Sequence, residues 1–388
     1  MNETASRRLV IVSHSREHGG AEVYVENLIR HLALDVEKRW APELICRRDQ
    51  EVDRLAHAAA EYGPVFRLDF TSPIDVAAIA RHLRGASLVH LNLSFPTGKY
   101  PFGSAVLARA LGRPLVVTHH LALRVGTPWR QMMRWLGRSA VRHIAVSDYA
   151  ARALLIDYAY SRDRLRIIHN GVDPEIFRPA DTQARLAFRK AAGQRLEQTE
   201  WDDDIVLVCT VARLSTQKGL FELVDAASQA AEVHPNLRFV VLGEGPLRAR
   251  LAETIKRRRL ERKLFLLGAR PRKEVAAWLA ASDLLLMASH YEGGPATAVM
   301  EAMAAGCAVV ATDVSGVREL VSDDTIGRLV PTNDAAALAS AVSDLAANRE
   351  LRASMARRAR EKVLGEFTID VCMGKTMQVL DEAVATPR

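Results

Sequence analysis

Short apolar runs rich in Val, Ile and Leu alternate along nearly the whole chain with segments whose apolar residues recur at helical spacing. Runs at 9–12, 43–46, 65–68, 88–91, 115–117 and 143–146 form a first series, and 205–211, 238–242, 264–267, 284–287, 308–311 and 328–330 a second. Strands apolar on both faces belong in parallel sheets, because each crossover helix covers a face. Twelve such strands would make an unusually wide single sheet, so the pattern predicts an α/β protein of two Rossmann-like, doubly wound domains. A turn-rich stretch from Asn170-Gly171-Val172-Asp173-Pro174 to Pro179 follows a strand at 167–168 and precedes a helical pattern. It places the join near 179, giving domains 1–179 and 180–388, with a last helix (about 368–384) that is a candidate to pack back on the N-terminal domain.

Composition agrees with a globular chain: 388 residues, 49% hydrophobic and 26% charged. The longest apolar run, 275–281, is far shorter than a membrane span needs, and the run after Arg7-Arg8 is too short for a secretion signal. Cys46, Cys209, Cys307 and Cys372 are scattered and read as small buried hydrophobes, which fits a reducing, cytoplasmic setting. Charge is uneven. The first 179 residues hold 25 basic and 18 acidic side chains, and the remainder 28 of each. Residues 101–150 carry seven arginines against one acid, Asp148, which points to an anionic partner of the N-terminal half.

Candidate chemistry gathers after the strands. Gly19-Gly20 follows the first strand and opens a helix, where backbone approaches a ligand and free N–H groups meet an anion. In the second domain Arg213 and Lys218, before Gly219, lie in one strand-to-helix loop and suit a diphosphate. Gly243-Glu244-Gly245 and Asp313-Val314-Ser315-Gly316 are further turns expected on the same sheet edge, a convergence that favours a nucleotide crevice. Gly294-Pro295 reads as a helix start and Gly306 as its end. That segment carries Glu292 in the loop and Glu301 on an otherwise Ala-, Val- and Met-rich helix, a setting that calls for a hydroxyl-rich ligand or an exposed edge.

These segments resemble the retaining glycosyltransferases of the GT-B fold, family four, over essentially the whole chain. The resemblance implies two Rossmann-like domains facing across a cleft, a nucleotide-sugar donor held mostly by the C-terminal domain, and an acceptor on the N-terminal one. By it, Gly19-Gly20 approaches the donor phosphates and Arg213 and Lys218 of the R-x4-K-G motif hold the diphosphate. Glu301 binds ribose, Glu292 contacts the donor sugar, and Gly243 lies in a recurrent donor-binding segment. A Thr-x-His pattern, here Thr118-His119-His120, places His120 beside the donor sugar. Eight residues separate Glu292 from Glu301 where the family has E-x7-E. The run from Glu301 to Gly306 matches in place, so Glu292 superposes only with a one-residue bulge, for which Gly293-Gly294 is the natural site.

The expected reaction is transfer of a sugar from a nucleotide sugar to an acceptor hydroxyl with retention, the acceptor being a glycan or lipid-linked. No covalent protein nucleophile, cofactor, essential metal or nucleic-acid partner is expected. Alternatives are a sugar-nucleotide epimerase of the same fold and a non-catalytic nucleotide-sugar-binding protein. His119 and His120 point to opposite faces of a strand and make no zinc pair. Asp202-Asp203-Asp204 precedes a strand and reads as a solvated loop, and Lys256-Arg257-Arg258-Arg259 as a solvated helix face. Thr127 and Pro128 start a helix, despite Gly137 within it. Its stripe of Trp129, Met132, Met133, Leu136 and Ala140 packs on the sheet, and Arg130, Arg134 and Arg138 project from another face with Trp135 at the margin. That face suits an anionic membrane surface, peripheral on the inner side of the cell membrane.

Overall fold

Along the first strand Val10 and Val12 enter one apolar cluster while Leu9 and Ile11 enter another, and all four are wholly buried. Alternate side chains of a strand face opposite ways, so such a strand is stable only with helices on both sides of its sheet. The computed structural model describes residues 6–15, 19–48, 53–97, 99–121, 123–197, 199–292, 294 and 296–385.

Among these, β1 (Arg7–Ser13), β2 (Trp40–Arg47), β3 (Val65–Leu68), β4 (Leu88–Leu93), β5 (Leu115–His119), β6 (Arg142–Ala145) and β7 (Leu165–Ile167) form a parallel sheet in the order β3-β2-β1-β4-β5-β6-β7. A second parallel sheet, ordered β10-β9-β8-β11-β12-β13, comprises β8 (Val206–Val211), β9 (Leu237–Leu242), β10 (Leu264–Gly268), β11 (Leu284–Met287), β12 (Ala308–Thr312) and β13 (Gly327–Val330). Both reverse direction beside their first strand, which leaves a crevice position at the carboxyl ends there.

The chain divides into two compact units, 1–171 with 369–388, and 172–368. The division falls before the expected join at 179 because Val172 N donates to Phe367 O at 2.8 Å, and Val172 and Phe177 are buried in the second unit's core. The helix Ile369–Ala385 belongs to the first unit: Cys372, Met373, Met377 and Leu380 join Tyr24, Leu28 and Ile144 in one apolar cluster. Asp381 accepts from Arg39 Nη1 (2.9 Å) and Trp40 Nε1 (3.0 Å). All four cysteines are free and buried.

Two features differ from the sequence expectation. Asp203 is no bare loop residue. It accepts from Arg185 and Arg349, and Arg185 also bonds Asp283, which in turn receives the wholly buried Arg189 (2.6 Å) and the Leu207 amide (2.8 Å). Arg189 further donates to the carbonyls of Ala281 and Ile205, so each of the three nitrogens of this buried cation makes a hydrogen bond. Second, the helix Thr127–Ser139 has Gly126 rather than Thr127 at its N-cap. Gly137 within it is required by packing, since a Cβ there would lie 2.6 Å from the Tyr160 ring. Met133, Leu136 and Ala140 are buried against the sheet; Arg130, Arg134 and Arg138 are exposed and Trp135 half-buried.

Candidate active site

Four loops leave the carboxyl edge of the second sheet and bond to one another. The loop after β8 carries Arg213, Lys218 and Gly219. It joins the loop after β9 through Ala212 N to Leu242 O (3.0 Å), Leu214 N to Glu244 O (2.9 Å) and Leu247 N to Leu214 O (3.0 Å). Gly243 has φ +142°, and a Cβ there would lie 1.9 Å from the Ala212 carbonyl oxygen; at Gly219, φ +57°, it would lie 1.9 Å from that of Ala288. Only glycine permits these approaches.

The loop after β11 closes on the same place. His290 N donates to Gln217 O (2.8 Å), Gln217 Nε2 donates to Tyr291 O (3.0 Å), and Lys218 Nζ donates to Glu292 Oε1 at 2.5 Å. His290 Nε2 lies 3.2 Å from Glu222 Oε1. From beyond β12, Ser315 Oγ donates to Glu292 O (2.9 Å). Glu292 is thus held by both main chain and side chain, and its carboxylate points to the loop after β8. Of Gly293-Gly294, the expected site of the bulge, Gly293 lies outside the described residues, as does Pro295. Arg213 is exposed and makes no side-chain hydrogen bond or ion pair among the described residues, so one guanidinium is presented unpaired while the ammonium is already neutralised.

Glu301 sits on the helix Thr297–Ala305, which starts past the expected Gly294-Pro295 because Ala296 holds extended backbone at its N-cap, and ends at Gly306 with φ +87°. Val299, Met300, Ala302 and Met303 around it are buried. Burial pushes the Glu301 carboxyl up to about 7, with the Arg272 cation opposing the rise. The described residues give this carboxyl no hydrogen-bond partner, leaving an apolar-walled acceptor open to hydroxyl donors. Arg272, whose guanidinium lies 5.2 Å over the Phe177 ring, escaped the sequence reading, although it follows a strand as Arg213 does. Nothing in the local pattern signals the Glu222–His290 pair.

The first unit has its own polar edge. Gly19 N donates to Glu22 Oε2 (2.8 Å), closing the first turn of the helix Gly20–Ala33. A Cβ at Gly20 would meet nothing within 4 Å, so the fold itself does not demand glycine there. His18 lies outside the described residues. Asn92 Nδ2 donates to the Ala21 carbonyl (3.3 Å), which can only accept, so Asn92 Oδ1 faces His120 Nε2 at 2.7 Å and that nitrogen carries the proton. His120 Nδ1 is then a bare acceptor, buried without a partner. Burial, and the neighbouring His90, hold its pKa down to about 3, so the ring is neutral. His119 turns the other way, its Nε2 3.2 Å from His143 Nδ1. Among the described residues no cluster of His, Cys, Asp and Glu suits a metal, and no helix is long and apolar enough to cross a membrane.

Residues 194–362 match the family model of glycosyl transferases group 1, and residues 18–176 that of Glycosyltransferase Family 4. The chain is 36% identical over 219 residues to the putative colanic acid biosynthesis glycosyltransferase WcaL of Escherichia coli; the match covers 54% of this chain but 49%, about half, of that relative's length. It is 30% identical over 294 residues to the alpha-D-kanosaminyltransferase of Streptomyces kanamyceticus, covering 72% of each. The crystal structure of Anabaena HepE in complex with UDP superposes with a TM-score of 0.82 at 21% identity, covering 97% of this chain and 100% of that one, a likeness of fold.

Proposed function

The chain belongs to the group 1 glycosyltransferases of family 4, with two Rossmann-like units of the GT-B fold, and from that premise we propose that it moves a sugar from a nucleotide-sugar donor to an acceptor hydroxyl with retention of anomeric configuration. The observation that carries the donor half is the set of loops knitted together on the second sheet's carboxyl edge, with Lys218 on Glu292 and, among the described residues, Arg213 unpaired and Glu301 lacking a partner. The diphosphate takes Arg213 in a two-oxygen grip and draws Lys218 from Glu292; Glu301 accepts from ribose hydroxyls; Glu292, released, faces the donor sugar. As the bond from the anomeric carbon to the diphosphate oxygen breaks, negative charge grows on the phosphates, and preorganised cations meet it without a metal. The acceptor oxygen bonds to the same face of that carbon, and its proton passes to the leaving diphosphate. On the first unit we assign the Gly19-Gly20 turn to anion binding, through the Gly20 N–H since that of Gly19 bonds Glu22, and the neutral ring of His120 to a sugar.

We place the acceptor, a glycan or lipid-linked glycan, on the first unit, and read Arg130, Arg134, Trp135 and Arg138 as a membrane-facing surface on the cytoplasmic side. The UDP bound by HepE makes uridine sugars the first donors to test. Thermal shift against UDP, GDP and ADP sugars identifies the base, since ligand at a hundred times its dissociation constant stabilises by about 2.7 kcal/mol. Stabilisation by one base, with slow release of its diphosphate, supports transfer. An isomerised donor would mean an epimerase, and binding without either reaction would mean a binding protein.

A further inference from the structure

The helices Leu220–Val233 and Arg248–Arg257 follow β8 and β9, and their residues Leu223, Val224, Leu251 and Ile255 join Val208 and Val241 of the second sheet in one apolar cluster. Away from that cluster the two helices frame a hollow of about 520 Å³ that opens to solvent. On the second helix Arg250, Thr254 and Arg257 line it at helical spacing, so they form one stripe of two turns, about 10 Å long. Opposite them stand Phe221 and Asp225, one turn apart on the first helix. Of the basic run 256–259, Arg257 and Arg258 therefore line a cavity rather than a plain solvated face.

Charge in the hollow is left unbalanced. Asp225 Oδ1 pairs with Arg258 Nη2 at 2.6 Å, which uses that carboxylate. Arg250 lies over the Phe221 ring at 5.1 Å, and Arg257 Nη2 donates to Thr254 Oγ1 at 3.1 Å, while that hydroxyl donates to the Arg250 carbonyl at 2.9 Å. Neither Arg250 nor Arg257 has an ion-pair partner among the described residues, although Glu253 lies within one turn of both. Two guanidiniums thus face one space, each held in place by a neutral group and each with N–H forks to spare. A phosphate monoester carries close to two negative charges at pH 7 and can take a fork on each side. A carboxylate would match one guanidinium, and a neutral sugar neither charge.

We propose that this hollow binds a small organic phosphate monoester, at a place separate from the loops that carry Arg213, Lys218 and Glu292. Arg250 and Arg257 grip the phosphate oxygens, and Phe221 walls the organic part. Glu253 opposes the anion and holds its affinity down. None of these side chains enters the hydrogen bonds that knit the donor loops together, so the site stands whether or not those loops take a nucleotide sugar.

The test is isothermal titration of the full chain with glycerol 3-phosphate, and with glycerol as the neutral control, at one pH and low salt. Wild type is compared with Arg250→Gln, Arg257→Gln, Glu253→Gln and Arg213→Ala; the three groove side chains are exposed, so their replacement leaves the fold intact. Wild type is expected to bind glycerol 3-phosphate and not glycerol. Arg250→Gln and Arg257→Gln should each weaken binding roughly tenfold, the loss of one charge-assisted contact, Glu253→Gln should tighten it, and Arg213→Ala should leave it unchanged. No binding by wild type, or equal binding by wild type and both arginine variants of the groove, overturns the site. So does a loss confined to Arg213→Ala, which would put the phosphate on the loop after β8 instead.

Discussion

Lys218 and Glu292, 74 positions apart in sequence, meet at 2.5 Å between Nζ and Oε1, joining the loop after β8 to the loop after β11. The two side chains that the proposed function assigns to diphosphate and donor sugar thus hold one another, and on that reading a diphosphate would have to displace a carboxylate to reach the ammonium. Arg213 has no such competitor among the described residues.

Arg213→Ala and Lys218→Ala are each expected to lower turnover by roughly two to three orders of magnitude, as loss of one preorganised transition-state donor does, with folding intact by circular dichroism. Glu292→Ala separates the two roles of that carboxylate. It should tighten binding of the bare nucleoside diphosphate, because Lys218 is freed, while lowering turnover with the donor sugar. Unchanged values of both would remove Glu292 from the site.

Glu301 sets a pH dependence. Burial raises its carboxyl to about 7 when folded, above the ordinary 4.5, so the folded state holds the proton more tightly. Stability from this group is present below about 4.5 and is lost as pH rises toward 7, an effect on the order of 3 kcal/mol that Glu301→Gln removes. Donor binding runs the other way. A ribose hydroxyl bonds the ionised carboxylate best, so affinity measured by calorimetry should rise between about pH 6 and 8 in wild type and stay flat in Glu301→Gln.

The buried pair Arg189–Asp283 gives a stability prediction with no catalytic part. Asp283→Ala leaves the wholly buried Arg189 guanidinium without its carboxylate, whereas Arg189→Ala leaves Asp283 still paired with Arg185. The first should cost about 3 to 5 kcal/mol in denaturant unfolding of the second unit, and the second less. A loss under 1 kcal/mol would mean that water or a neighbour takes over the pairing.

Cosedimentation with anionic liposomes checks the helix Thr127–Ser139. Three exposed arginines at about 1 kcal/mol each give weak, salt-sensitive attachment. Wild type should pellet at low salt and not at high salt, and Arg130/Arg134/Arg138→Glu at neither. Equal pelleting of the two at low salt would end the membrane reading.

The strands were legible because a parallel sheet buried on both faces leaves an unbroken Val, Ile and Leu signature; β3 and β11 fall on the runs 65–68 and 284–287 themselves. Parallel order also puts the Arg213, Gly243 and Ser315 loops on one edge. Pairings between those loops were not legible. Nothing local joins Lys218 to Glu292, Asp203 to Arg349 or Asn92 to His120, since each depends on which strands become neighbours. Gly137 runs against helix propensity for a reason that is not local, since Tyr160, which needs the space, comes from a later turn of chain.

Binding of UDP, GDP and ADP to wild type and Arg213→Ala, measured by isothermal titration at one pH and salt, needs no acceptor and goes to the centre of the mechanism. One diphosphate should bind wild type and lose about tenfold to a hundredfold in Arg213→Ala, the loss expected for a charge-assisted pair. Equal affinity in the two proteins, or no binding of any of the three, would contradict a donor diphosphate held by the loop after β8.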